Sequence, residues 1–458
     1  MSTQAADCTP RGAVFPQRRV VQPRKIMSTR WTEYLLFAGL FMSTTALLPA
    51  LAPNSIDHPI GVVPPNWMWP AYFLIAILII LLTSKRFELD TTGFSLCLAP
   101  VAYWWLTAFW SVSRSRTIKE CLLLSGTVLV AYLCITRLGY KRTIQVISAV
   151  LLTVAVLSLA ACVLAPGLAH DPIVSGMRGV LVQKNLLGRL MALSIVLEIL
   201  QIFLLKPTHR EKMQAVTRLA IASVTLLLAD SATAYVVIGV LSFAALLLTI
   251  SIKGQLGYIT LAVIPLGGIA FYYLLETGIA LKVVLAGTDK DATLSNRTLI
   301  WKVVDQAISA HPSTGYGYGA FWTGVDGPGG KVSREVGTTL GHAHSGYRDI
   351  LLQGGKVGLI VVSFSLALLA VRLLVRAVTT NDLVVATRLI IVVFPVAYSV
   401  TESNLYNACS IYTIVLILGA GTSGCSPRSS LALVVRASRR RGRSRETRTR
   451  LFESRMGG

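Results

Sequence analysis

The chain has 458 residues, 53% of them hydrophobic and only 14% charged, with a formal net charge of +22. Soluble domains carry about 25% charged residues, so this composition excludes an ordinary soluble protein and indicates a polytopic membrane chain. The basic excess does not signal nucleic acid, because most Arg and Lys fall in short loops and at the two ends, where membrane orientation accounts for them.

Residues 1–30 are polar and basic (Arg11, Arg18, Arg19, Arg24, Lys25, Arg30), too long and loose for a signal n-region. The apolar run over 32–51 has the length needed to cross ~30 Å of hydrocarbon. A small-residue cleavage pattern is readable at Ala50-Leu51-Ala52, but the length favours an uncleaved anchor. Further spans are predicted at 67–84, 93–111, 118–136, 143–164, 186–205, 216–230, 234–252, 257–275, 349–371, 383–401 and 408–423, with 216–230 the shortest and weakest. The expected fold class is therefore all-α, a polytopic membrane protein of about twelve transmembrane helices.

Basic residues crowd the N-terminus, Lys85-Arg86, Arg137 to Arg142, Lys206 to Arg218, Lys253, Arg372 with Arg376, and the tail. The alternate loops 52–66 and 402–407 have no Lys or Arg. This predicts cytoplasmic termini. The organisation is a basic cytoplasmic segment (1–30), spans 1–9 (31–275), a large outer loop (276–347), spans 10–12 (348–423) and a basic cytoplasmic tail (424–458). Arg114, Arg116 and Lys119 violate the charge pattern, and a phosphate-facing basic surface is the alternative reading of them. The Arg- and Ser-rich tail reads as a disordered segment attracted to anionic lipid. The seven cysteines (Cys8, Cys97, Cys121, Cys134, Cys162, Cys409, Cys425) form no CxxC pair, so neither a disulfide framework nor a zinc site is expected.

The outer loop is far longer than a connection needs to be. It holds an amphipathic segment, Leu299 to Ile308, then His311-Pro312 and the run Gly315-Tyr316-Gly317-Tyr318-Gly319. Tyr316, Tyr318, Phe321 and Trp322 suit either a platform for sugar rings or a loop packed on the membrane interface. Arg178 with Lys184, Asn185 and Gly188, then Asp230-Ser231-Ala232-Thr233, then His342 and His344, are expected on the same face. Lys302 and Asp305 read as a solvated pair, and His311 as a turn residue. Glu402 is the single acid of its loop and a weak alternative base. Arg189, Glu198 and Arg388 are the notable charges near span centres. Arg189 and Arg388 could snorkel or pair, and Arg388 is also a candidate contact for a carrier phosphate.

Arg178-Gly179, Lys184-Asn185-x-x-Gly188, Ser231-x-Thr233, Arg297-Thr298-x-x-Trp301, His311-Pro312-x-x-Gly315-Tyr316-Gly317 and His344-Ser345 with Gly355 and Gly358 resemble, in order, the O-antigen ligase and polymerase family. The wording is most similar to the ExoQ-type exopolysaccharide polymerases, over roughly residues 90–420. One departure is Asn296, where the family usually has Gly before the loop Arg.

The resemblance implies a GT-C-like membrane glycosyltransferase architecture and glycan transfer from a polyprenyl-diphosphate carrier in the bacterial inner membrane. Negative charge builds on the leaving diphosphate, and fixed Arg cations suit it. On that reading Arg178 and Arg297 bind the diphosphate and His344 activates or orients the acceptor hydroxyl. Lys184, Asn185, Ser231, Thr233, Tyr316, Tyr318 and His342 contact substrate. No metal and no other cofactor is expected. The implied partners are the lipid-linked glycan donor and acceptor, the bilayer, and a chain-length regulator or export machinery, with no nucleic acid. Polymerisation of repeat units is the leading function. A ligase moving finished glycan to a lipid or protein acceptor is the near alternative, and a transporter is the rival from another class.

Overall fold

The computed structural model describes residues 30–46, 67–82, 90–170, 176–253, 292–324, 326–337 and 339–421. Helices make up the regular structure of these residues, and no strand forms among them. In chain order they are α1 (Arg30–Ser43), α2 (Met68–Leu81), α3 (Thr91–Leu106), α4 (Arg114–Leu138), α5 (Tyr140–Leu164), α6 (Lys184–Phe203), α7 (His209–Ala229), α8 (Ala232–Lys253), α9 (Ala292–Ala310), α10 (Pro328–Val336), α11 (Gly346–Thr380), α12 (Leu383–Tyr398) and α13 (Ile411–Gly421).

A helix stands at each of the expected span positions except 257–275, which lies outside the described residues, as do 1–29 and 422–458. Among the described residues, seven helices have the length and apolarity to cross a membrane: α3 with its continuation to Phe109, α4 to α8, and α11. α2, α12 and α13 are apolar but shorter.

Local signals explain where the helices begin and end. The Asp90 carboxylate caps α3, accepting from the Gly93 amide at 3.0 Å. α7 starts earlier than its apolar run because Thr208 and Glu211 form a capping box: the Glu211 amide donates to Thr208 Oγ1 (3.3 Å) and the Thr208 amide to Glu211 Oε2 (2.9 Å). The expected weakest span is thereby a 21-residue helix. The Arg114, Arg116 and Lys119 group, expected in a loop, lies in the first turns of α4, where Arg116 pairs with Glu120 at 3.1 Å.

Helix α6 is the centre of the bundle. Leu187, Leu190, Met191, Leu193 and Leu197 are fully enclosed, and α7, α5, α8 and α12 pack around it. Its buried Glu198 is neutralised by Arg218 of α7 at 2.9 Å, as a carboxylate inside a bilayer requires. Large apolar side chains instead cover the outer surface, among them Leu74, Leu78, Val163, Leu164, Ile360 and Phe364. Water would penalise that arrangement and hydrocarbon does not.

Helix α11 is broken one quarter along its length. Gly355 adopts φ 61°, ψ −162°, and the chain at Pro312 to Gly317 fills the break. The Lys356 and Val357 amides donate to the Pro312 and Ser313 carbonyls (2.9 and 3.2 Å), and the Tyr316 and Gly317 amides donate to the Leu352 and Gln353 carbonyls (2.8 and 2.9 Å). Backbone groups that the break frees at membrane depth are thus satisfied within the protein.

Candidate functional site

Three of the side chains predicted to carry chemistry, Arg297, His342 and His344, meet at one end of the bundle, around the turn between α12 and α13. Ser399 opens this turn: its hydroxyl donates back to the Pro395 carbonyl (2.6 Å), and its own carbonyl accepts the Gly346 amide (2.7 Å). The two segments approach so closely that a Cβ on Gly346 would lie 2.8 Å from Ser399 Cβ and 3.2 Å from the Glu402 carbonyl. This contact brings His344, just before α11, to Glu402, just after α12.

Glu402 is buried, and its Oε1 accepts from Arg297 of α9 at 3.1 Å. Its Oε2 lies 3.8 Å from His344 Nδ1. Burial raises the carboxyl, but His344, Arg297 and Arg189 outweigh it and hold Glu402 well below the ordinary carboxylate range. His344 has φ 50°, a left-handed backbone unusual outside glycine. The amide of His344 donates to His342 Nδ1 at 3.2 Å, and the two rings stand 4.1 Å apart edge to face. Burial, then His344, Arg189 and Arg297, push the His342 imidazole down to about 3 against the opposing pull of Glu402.

Asp349, one turn into α11, fixes the loop that carries His344. Its carboxylate accepts the Ala343 amide (3.1 and 3.2 Å), the Trp322 indole (2.7 Å) and the Ser403 hydroxyl. Trp301 of α9 donates to the Ala343 carbonyl at 3.1 Å, and Arg348 stacks 4.4 Å over the Trp301 ring while pairing with Asp305 at 3.0 Å. Asp305 thus pairs with Arg348 rather than with Lys302, correcting the expected solvated pair.

Arg189 of α6 donates to Asn404 Oδ1 and lies 4.9 Å over the Tyr412 ring. It also lines a cavity of about 290 Å³ between α1, α2, α6 and residues 403–412, with Met42, Trp69, Leu190 and Asn404. Its lining mixes apolar side chains (Met42, Trp69, Leu186, Leu190) with Arg189, Asn404 and Asn407, a mixture suited to an amphiphile with a charged head.

Of the predicted residues, Arg297, His342 and His344 converge. Ser231 is buried at the start of α8, against Gly188 and beside Tyr398. Lys184 and Asn185 begin α6, with Lys184 folded against Gly176. Thr233 lies in the first turn of α8.

Arg178 is not among the side chains in contact with Glu402. It is buried in a strap over α5, its Nε donating to the Leu168 carbonyl at 2.9 Å and its amide to Ala169. Tyr316 and Tyr318 depart from the sugar platform: both rings are buried, with hydroxyls donating to the Ala307 and Tyr406 carbonyls (3.0 and 2.7 Å). Arg388 is likewise no carrier contact at this site, being fully buried beside Asp90 at the other end of the bundle.

Glu402, Arg189, Asn404 and Asp349 were underrated or missed. For Arg189 the signal was present, since a charge inside an apolar span implies a partner. Asp349 gave no signal, because an acid in the first turn of a helix ordinarily serves the helix dipole.

Among the described residues, His342, His344 and Glu402 offer three ligand atoms within 4.8 Å of one another, a spacing that a divalent cation can use. Arg297 already takes Oε1 of that carboxylate, and Arg189 adds a second positive charge. The cluster therefore holds its own cations.

Residues 218–363 match the family model described as O-antigen ligase. Over 103 residues, the chain is 28% identical to the exopolysaccharide production protein ExoQ of Rhizobium meliloti (strain 1021). That alignment covers 22% of this chain and 23% of the relative, less than a quarter of its length. The family match includes Arg297, His344, Asp349 and Gly355 but stops before Glu402. Together the two matches support placing this multi-pass membrane chain with the O-antigen ligase and ExoQ-like proteins.

Proposed function

We propose that the chain polymerises polyprenyl-diphosphate-linked oligosaccharide repeats into exopolysaccharide or O-antigen at the periplasmic face of the bacterial inner membrane. The observation that carries this reading is the Arg297–Glu402–His344 cluster, drawn from three separate segments and backed by Arg189 at a cavity of mixed polar and apolar lining. In this reading the spans number twelve, the segment 276–347 and the Glu402 turn are periplasmic, and the termini are cytoplasmic.

In the transfer, an acceptor hydroxyl attacks the anomeric carbon of the donor and the bond from that carbon to the diphosphate oxygen breaks. His344 takes the hydroxyl proton. Glu402, facing Nδ1, favours the tautomer protonated there and leaves Nε2 to accept the proton. The charge released on the diphosphate falls to Arg189 and Arg297, which are fixed before the reaction begins. Arg178 stays a candidate for the diphosphate through the sequence resemblance. Lys184, Asn185, Ser231 and Thr233 serve the substrate path, and a chain-length regulator or export complex is the partner class.

The deciding experiment sizes the surface polysaccharide and the carrier-linked glycan in a strain lacking the chain. Loss of polymer with single repeats stranded on the carrier supports polymerisation, and His344→Ala should then fail to restore length. Full-length glycan stranded on the carrier would assign a ligase instead. Unchanged pools would remove the glycan reading.

A further inference from the structure

At the opposite end of the bundle, four helix ends meet around one carboxylate. Arg372 and Arg376 lie near the end of α11, Asp90 at the start of α3, Arg388 in the second turn of α12, and Gly419 and Ala420 in the last turn of α13. Asp90 Oδ1 accepts from Arg372 at 2.7 Å, Oδ2 accepts from Arg376 at 2.6 Å, and Arg388 Nη2 lies 3.6 Å from Oδ2. Asp90 Oδ1 is also taken by the Gly93 amide. Among the described residues, three guanidinium groups therefore share one saturated carboxylate, and these four side chains together keep two positive charges.

The donors are also in excess. Arg388 is fully buried; its Nε and Nη2 donate to the Gly419 and Ala420 carbonyls (2.8 and 2.9 Å), while Nη1 is buried without an acceptor among the described residues. Arg372 Nε is likewise buried without an acceptor among them. Unused buried donors are costly, and a surplus of charge at a helix-bundle end is costly again. The side chains of Arg372 and Arg376 remain about one-third exposed, 32% and 35%, so the cluster opens to the surface. Among the described residues, the nearby acids at this end are engaged elsewhere: Asp382 accepts the Val384 amide at 2.8 Å, Glu33 pairs with Arg142 at 2.6 Å and Glu211 with Lys141 at 2.8 Å.

We propose that Arg372, Arg376 and Arg388 form a binding site for a phosphate-bearing anion, supplied by an anionic phospholipid headgroup or by free phosphate. Guanidinium groups match phosphate oxygens in pairs, and basic pockets between membrane helices take such headgroups. The site is separate from the glycan chemistry: beyond the break at Gly355, Arg372 follows Lys356 by 16 residues of unbroken helix, about 24 Å at 1.5 Å per residue.

The test uses the full chain purified in detergent. Native mass spectrometry and thermal melting are read with added phosphatidylglycerol, with phosphatidylcholine, and with inorganic phosphate. Phosphatidylglycerol retained in preference to phosphatidylcholine, with a raised melting temperature, supports a headgroup site. Stabilisation by millimolar inorganic phosphate alone supports a free-anion site. The double variant Arg372→Gln/Arg376→Gln should weaken either by about 30-fold, two charges near the surface. The control Lys141→Gln/Arg210→Gln should leave it unchanged. Binding equal for the two lipids and absent for phosphate would overturn the proposal. So would a double variant that melts cooperatively and binds like the parent, or a control that loses binding equally.

Discussion

At the scale of single residues the site is governed by one carboxylate. Glu402→Gln removes the charge that Arg297 and His344 share while keeping the volume, and polymer synthesis should fall about 100-fold or more, as when an electrostatic element of an active site is lost. Glycan sizing in the complemented strain measures it. His342 gives a pH signature. Its folded-state value of about 3 is below the ordinary 6.5, so between those values the unfolded chain binds more protons. Stability then rises with pH through that window and is lost on acidification from about 6.5 towards 3. Glu402, also depressed, acts in the same direction at lower pH. His342→Gln should flatten the dependence of melting temperature on pH between 6.5 and 4, and an unchanged slope would refute the assignment. Asp349→Asn should cut activity about tenfold or more by loosening the His344 loop, with donor KM little changed. Asp305→Asn, on the exposed side of Arg348, should stay near the parent.

At the scale of elements, the break in α11 joins two motifs some forty residues apart in sequence. A Cβ on Gly355 would lie 2.2–2.4 Å from the Ser313 and Thr314 backbone, whereas one on Gly358 meets side-chain rings, Tyr103 at 2.9 Å and Trp104 at 3.5 Å. Gly355→Ala should therefore prevent docking of residues 312–317 and lower the melting temperature sharply. Gly358→Ala should cost less, since a ring can shift where backbone cannot. The sequence showed these glycines at a recognisable spacing but not their partner. Nothing in the order Gly-Tyr-Gly-Tyr-Gly says that its backbone completes a helix elsewhere. The same holds for Tyr316 and Tyr318. Aromatics between glycines suggest exposure, and only the packed fold turns them inward.

For the whole molecule, hydropathy made the helices legible because each span needs its own apolar run. The site was half legible. Arg297 and His344 sit in motifs, while Glu402 and Arg189 gain meaning only when the ends of α6 and α12 are side by side. The bundle separates two polar ends, one acidic-centred with histidines and one dominated by arginine. If the first faces the periplasm, a cysteine placed at Lys331 in α10 should react with a membrane-impermeant maleimide in intact spheroplasts, and one at Thr380 should not. Since arginine supplies the cations, chelator-washed protein should keep its transfer rate, and a rate restored only by added divalent metal would reassign the His342–His344–Glu402 group.

The main-chain seating of residues 312–317 has a practical reach. Ser313 and Thr314 hold α11 and the Trp110 indole through carbonyl oxygens, while their side chains are exposed. Position 314 is thus an anchorage whose ornament can be exchanged. A dye or spin label on Thr314→Cys would ride on the loop without disturbing its moorings, and would report, in real time, whether a growing glycan lifts it.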